Sequence, residues 1–236
     1  MTSGPGLSEI WIIDPRVDTG AIAAMAARLG IVAAPPPARI TSEADAARRT
    51  AAYLALRLMI ASHDGVERAT QPFVSGSNGK PELSGPGASF SLAHCDGLML
   101  VAVANGTPVG VDVLAAGPML VSTARRDVLE RSARAVAASR PIAISGDDDR
   151  LRQAWARLEA VAKASGLGIG GLLERIGARP GHPQPALPPD LPVAADLDLP
   201  AGFFGAVACH PDALRIAPRL VTGLPSRIAA LRRDAR

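Results

Sequence analysis

Residues 89–113 read SFSLAHCDGLMLVAVANGTPVGVDV. Apolar residues alternate through 89–94 and run almost unbroken through 97–105. Asn105-Gly106 is a tight-turn dipeptide, and 108–113 resumes the strand pattern, so the stretch predicts an antiparallel meander of three strands. Two polar side chains stand out in it. His94 ends the first strand, and Asp112 lies near the end of the third, where a carboxylate is costly to bury unless it is paired, hydrogen-bonded or bound to a cation. The plain alternatives are a hydrogen-bonded core imidazole and a strand-end aspartate that accepts backbone N–H bonds.

Upstream, EIWIID at 9–14 predicts a short buried strand, 21–29 an alanine-rich helix, and Pro35-Pro36-Pro37 a turn. Ser42 and Asp45 then form a capping-box variant ahead of a longer helix. On it Leu54, Leu58 and Ala61 share one face, and Arg49, Tyr53 and Arg57 another. Residues 70–88, rich in Gly, Ser, Pro and Asn, predict loop. Downstream, 121–140 is helical in pattern. Asp147, Asp148 and Asp149 place negative charge at the start of a second helix, where the macrodipole favours it, with Leu151, Trp155, Leu158 and Ala162 as its buried stripe and Gly166 and Gly168 at its end. The proline-rich stretch 180–201 predicts an irregular excursion before a final strand at 202–209. The order of elements fits an α+β or α/β domain whose two halves pack together.

The composition narrows the function. In 236 residues, 48% are apolar and 20% charged, which predicts a packed globule, and a net charge of +3 with 3% aromatics argues against nucleic acid as the partner. Cys95 and Cys209 are too few for a disulfide scaffold and are read as reduced thiols. No basic segment leads into an apolar run at the start, and no uncharged apolar run reaches the length of a membrane span, so a cytoplasmic protein without membrane association is expected.

Only two of the 25 Lys and Arg residues are lysine, Lys80 and Lys163. Lysine is a compact ammonium with three donors on a flexible stem, whereas arginine is a planar fork that stays charged. Lys80 follows a turn in Gly79-Lys80-Pro81. Lys163 lies four residues after Glu159 in the WARLEAVAK segment 155–163, a spacing that suits a surface ion pair as well as a site. The alanines beside it leave little other polar surface. Asp112 and Glu159 together suit a hard divalent cation, since Mg²⁺ is usually held by one or two carboxylates plus waters and phosphate oxygens. Lys80, Lys163, His94 and Arg48 would then surround the phosphates. No GxxxxGKS loop or GxGxxG turn is present, so the phosphates would be gripped by side chains and metal.

As an ordered set, GKP at 79–81, FSLAH at 90–94, VGVDV at 109–113 and W-x-x-x-E-A-x-x-K at 155–163 resemble the 4'-phosphopantetheinyl transferases of the long type. In these, two similar halves form an intramolecular pseudo-dimer. An arginine-bearing helix start at Asp45-Ala46-Ala47-Arg48 and the Cys209-His210-Pro211 ending extend the likeness. The resemblance implies halves at 1–110 and 111–236 with the active site between them. It implies transfer of the phosphopantetheine arm of coenzyme A to a serine of an acyl, peptidyl or aryl carrier protein by a monomer that uses Mg²⁺ or Mn²⁺. Asp112 and Glu159 would hold the metal, and Glu159 would take the proton from the carrier serine. Lys163 would meet the departing phosphate, and Lys80, His94 and Arg48 would hold the nucleotide end. Arg125 and Arg126 would then be candidates to meet an acidic carrier helix. Three positions depart from the pattern: Ala93 stands for a serine, Leu114 for a second acidic residue and Leu158 for a lysine. These departures motivate the alternative of a CoA- or phosphonucleotide-binding protein impaired in catalysis.

Overall fold

The computed structural model describes residues 6–33, 42–76, 79–138, 144–181, 184–214 and 218–231. The turn expected at 35–37 and the end of the helix expected at 121–140 lie outside these residues. Among them the chain is mixed α+β, with helices packed on two sheets. The first part runs β1 (Gly6–Ile13), α1 (Pro15–Arg28), α2 (Glu43–Asp64), α3 (Val66–Thr70), a small ladder of β2 (Val74–Ser75) with β3 (Pro81–Glu82), then β4 (Ser89–Cys95) and β5 (Leu98–Asn105). The second runs β6 (Val109–Ala115), α4 (Thr123–Ala135), α5 (Asp147–Ser165), α6 (Gly168–Arg175), β7 (Val193–Asp196) and β8 (Phe203–Cys209). A 3-10 turn at Pro211–Leu214, β9 (Arg219–Thr222) and a second 3-10 turn at Ser226–Ala230 close the described chain. The boundary expected at 110/111 falls inside β6.

The helix limits follow the local chemistry. Ser42 caps α2 by accepting the Asp45 N–H at 3.3 Å, as the capping pattern predicts. Gly166 ends α5 at a φ of 71°, a left-handed conformation that glycine adopts without Cβ strain.

The strands form sheets in the orders β4-β5-β1-β9 and β6-β8-β7. Every pair is antiparallel except β1 with β9. This corrects the three-strand meander. Both edges of β5 are occupied, by β4 and by β1, so no edge remains for β6, which leaves after the turn at Gly106 and pairs with β8 instead. Three more expectations change. The loop expected at 70–88 carries the β2–β3 ladder, the excursion at 180–201 contains the edge strand β7, and β8 is followed by β9, whose four residues lie parallel to β1. None of these short strands alternates strongly enough for periodicity to reveal it.

The layers run helix, sheet, sheet, helix. α1 and α2 cover one face of the first sheet, where Trp11, Ile13, Met99, Val101 and Val103 point at Ile22, Leu56 and Met59. The other face carries Ile10, Ile12, Leu100 and Ala102, which meet Val109, Val111, Val113 and Val207 of the second sheet. α4, α5 and α6 cover that sheet's far face, packing Leu151, Leu158 and Leu172 with Ala206 and Ala208. A strand buried on both faces needs a continuous apolar run, which is why 98–104 has no polar residue.

No helix among the described residues is long and apolar enough to cross a membrane. Cys95 and Cys209 are free thiols, and burial pushes each up to about 11.

Candidate active site

Along β6, Val109, Val111 and Val113 face the first sheet, so Gly110, Asp112 and Leu114 face α5. Gly110 lets the helix come close. A Cβ there would lie 2.0 Å from the Ala160 carbonyl oxygen and 2.6 Å from the Ala164 nitrogen. With α5 seated on this strand, Lys163 Nζ donates to Asp112 Oδ1 at 2.7 Å and to the Val111 carbonyl at 3.0 Å. Glu159, one turn earlier, faces the same side.

These side chains border a cleft of about 350 Å³ lined by Lys80, Ser91, His94, Glu159 and Lys163, with Arg49 and Tyr53 on the α2 wall. Lys80 reaches it from the end of the β2–β3 ladder and donates to the Val109 carbonyl at 2.9 Å. Four of the residues singled out from the sequence, from motifs far apart in the chain, therefore share one cleft. Asp112 stands just behind it, joined through Lys163.

Arg48 does not line this cleft. Its guanidinium pairs with Asp45 and, at 3.5 Å, with Asp96. Its neighbour Arg49 does line it, stacking on Tyr53 at 4.7 Å and donating to the phenol oxygen at 3.2 Å. The sequence placed Arg49 and Tyr53 on one helix face but gave no sign which face looked into a cleft. Ser91 fell within the FSLAH motif but had no role from sequence, since its role depends on β6 lying alongside β4.

The three positions Ala93, Leu114 and Leu158 differ in setting. Ala93 is buried between the two sheets, Leu158 is wholly buried in the core under α5, and Leu114 packs against that core. None lines the cleft. Of the two arginines read as meeting a partner, Arg126 is held by Asp148 at 2.7 Å and by the Asp147 carbonyl, while Arg125 is exposed.

Four groups at the cleft, Lys80, His94, Asp112 and Glu159, are pulled toward their neutral forms. Burial lowers the Lys80 ammonium below its ordinary range; Glu82 opposes this and Lys163 adds to it. Partial burial, then the charges of Arg49, Lys163 and Arg48, lower the His94 imidazole, although the residue keeps an exposed surface at the mouth. Burial raises Asp112 against the charge and hydrogen bond of Lys163, and burial together with the Asp112 charge raises Glu159. Two carboxylates that feel one another supply oxygen donors beside room for water and phosphate, a donor set that suits a hard divalent cation. No group of three or more His, Cys, Asp or Glu side chains converges among the described residues, so such an ion would complete its shell with water and ligand oxygens.

A separate polar network supports α5 from behind. Arg157 donates to both Asp196 carboxylate oxygens, at 2.6 and 2.5 Å, and Gln153 donates to Asp196 and to the Gly205 carbonyl. Both charged partners are buried, so the pair fixes the helix against β7 and β8. Compared with models of protein families and with characterised proteins, the sequence finds no match, and the functional reading rests on its motifs and on this geometry.

Proposed function

We propose that the chain is a Mg²⁺-dependent phosphopantetheinyl transferase, moving the arm of coenzyme A onto a carrier-protein serine. The observation that carries this is the convergence of Lys80, His94, Glu159 and Lys163 on one cleft, with Asp112 bonded to Lys163. The strand orders support the two-half architecture. β4-β5-β1 and β7-β8-β6 each place an opening strand beside the second strand of a closing pair, with helices between. The motif lysines and carboxylates then fall where the halves meet.

Asp112 and Glu159 would hold the cation, which when bound neutralises the pyrophosphate of the ligand. The rest belongs to the chain. An ammonium has three donors; Lys163 uses two on Val111 and Asp112, which leaves the third to meet a phosphate oxygen and offset charge developing on the leaving group. Glu159 takes the proton of the serine hydroxyl, directly or through a water, as the serine oxygen attacks the β-phosphorus and the bridging P–O bond breaks, releasing adenosine 3',5'-bisphosphate. Lys80 and Arg49 form the cationic wall for the nucleotide phosphates, with the His94 imidazole as a hydrogen-bonding group beside them, so that remote binding orients the reacting group.

Incubation with CoA, Mg²⁺ and a panel of apo carrier proteins tests the reading by mass spectrometry. A phosphopantetheine mass gain on the carrier serine, abolished by Asp112→Ala, is expected. Carriers of several classes that stay unmodified while a known transferase modifies them would defeat it.

One observation favours a second reading, a CoA- or phosphonucleotide-binding protein without transfer: Asp112 already spends an oxygen on Lys163 and stands behind the cleft lining. Calorimetry that finds CoA binding independent of Mg²⁺, with no carrier modification, would select it. Absence of CoA binding would remove both readings.

A further inference from the structure

β6 is an edge strand of its sheet, with β7 at the opposite edge. Pairing with β8 occupies one of its sides, and on the other the backbone groups of Val109 and Val111 turn toward β4. Side chains, not a strand, satisfy them. Lys80 Nζ donates to the Val109 carbonyl at 2.9 Å, Lys163 Nζ donates to the Val111 carbonyl at 3.0 Å, and the Val111 N–H donates to Ser91 Oγ at 3.0 Å in a buried bond. In a chain with 23 arginines, the only two lysines both end on one strand edge, two residues apart. A compact ammonium can seat on a single carbonyl and still offer donors elsewhere, which a planar guanidinium does poorly.

We propose that Ser91 is the positioning residue for both ammonium groups. Its hydroxyl fixes the gap between β4 and β6, and that gap decides whether Lys80 and Lys163 reach their carbonyls. Two residues along a strand advance the chain by about 7 Å, so the device presents two positive charges at a set spacing on one cleft wall. A ligand with two anionic groups about that far apart suits it, as a nucleotide bearing both a 5'-pyrophosphate and a 3'-phosphate does. Only this ligand assignment rests on the CoA reading above; the positioning role does not.

The lysine count makes the test direct. The full chain labelled with ¹⁵N-lysine has two side-chain ammonium signals, and hydrogen-bonded, half-buried ammonium groups exchange slowly enough to be seen apart from exposed lysine. Ser91→Ala is expected to move both signals toward the exposed-lysine position, and Ser91→Thr, which keeps the hydroxyl, to leave both near their wild-type places. Leu129→Ala, a remote core truncation, controls for lost stability and should move neither. If Ser91→Ala does not fold, Ser91→Cys keeps the volume, weakens the acceptor and carries the same expectation. Movement of only one signal, or of neither, overturns the proposal, as does an equal movement in Leu129→Ala. In a parallel titration with CoA, wild type should shift both signals and Ser91→Ala should bind on the order of tenfold more weakly. Signals that respond to Ser91→Ala but not to CoA would defeat the CoA reading and leave the role of Ser91 standing.

Discussion

Gly110→Ala isolates the contact on which the site depends. The added Cβ would sit 2.0 Å from the Ala160 carbonyl oxygen and 2.6 Å from the Ala164 nitrogen. Both are backbone atoms of α5, so no side-chain rotation relieves the clash. Ordinary contact begins near 3.4 Å, so helix and strand must part by about 1.4 Å, the difference between those two distances. Gly110 is not among the residues with positive φ, so alanine suits its backbone and the whole effect is packing. Overpacking of this kind costs about 1–3 kcal/mol, and rigid obstacles place this case at the upper end. For a chain of this size that lowers Tm by roughly 6–12 °C. The same movement stretches the 3.0 Å bond from Lys163 to the Val111 carbonyl, so ligand binding falls with stability. Gly20→Ala is the control: in α1 nothing lies within 4 Å of the added carbon, and replacing a helical glycine should gain about 0.5–1 kcal/mol. Thermal and urea unfolding of the three proteins decide the matter. A Gly110→Ala stability within about 0.5 kcal/mol of wild type would refute the close approach of β6 and α5.

Glu159→Gln should raise stability at neutral pH. The folded protein binds the Glu159 proton more tightly than the unfolded chain does, so ionisation penalises the fold above the raised pKa; the penalty fades as pH falls through that value and is gone below the ordinary 4.5. Melting curves from pH 4 to pH 8 should show the advantage of the variant growing with pH, and a constant or shrinking advantage would contradict the assignment. Asp196→Ala leaves Arg157 and Gln153 buried without their carboxylate and should cost about 3–5 kcal/mol by denaturant unfolding, far more than loss of an exposed pair. With both thiols pushed up to about 11, only about one in a thousand is thiolate at pH 8. A disulfide reagent should therefore label Cys95 slowly and buried Cys209 only on unfolding; rapid labelling of Cys209 in the native protein would be the contrary result.

Much of the architecture was legible because its signals are local. Buried strands announce themselves as unbroken apolar runs, which located β5 and β8, and capping chemistry located the start of α2 at Ser42. The candidate site was legible as residue types in unusual settings: a carboxylate within an apolar strand, a Glu and Lys one turn apart among alanines, and two lysines where arginine was the rule. Pairing was less accessible. Nothing between 89 and 113 tells that β1, eighty residues earlier, takes the free edge of β5 and sends β6 to another sheet. Arg157 and Asp196, 39 residues apart, each read as a surface charge until the fold buries them together.

By itself the sequence determined the longer strands and helices and singled out side chains that carry chemistry, because periodicity and residue type act within one element. The tertiary structure alone decided the partners. It chose Arg49 over Arg48 for the cleft wall, since the rotation of α2 on the first sheet sets which side of the helix looks inward. It also gave Ser91, a motif serine without an assigned role in the sequence, the N–H of a strand from the other sheet. An edge strand must satisfy its backbone groups with whatever the fold lays beside it, and here that is one hydroxyl and the chain's only two ammonium groups.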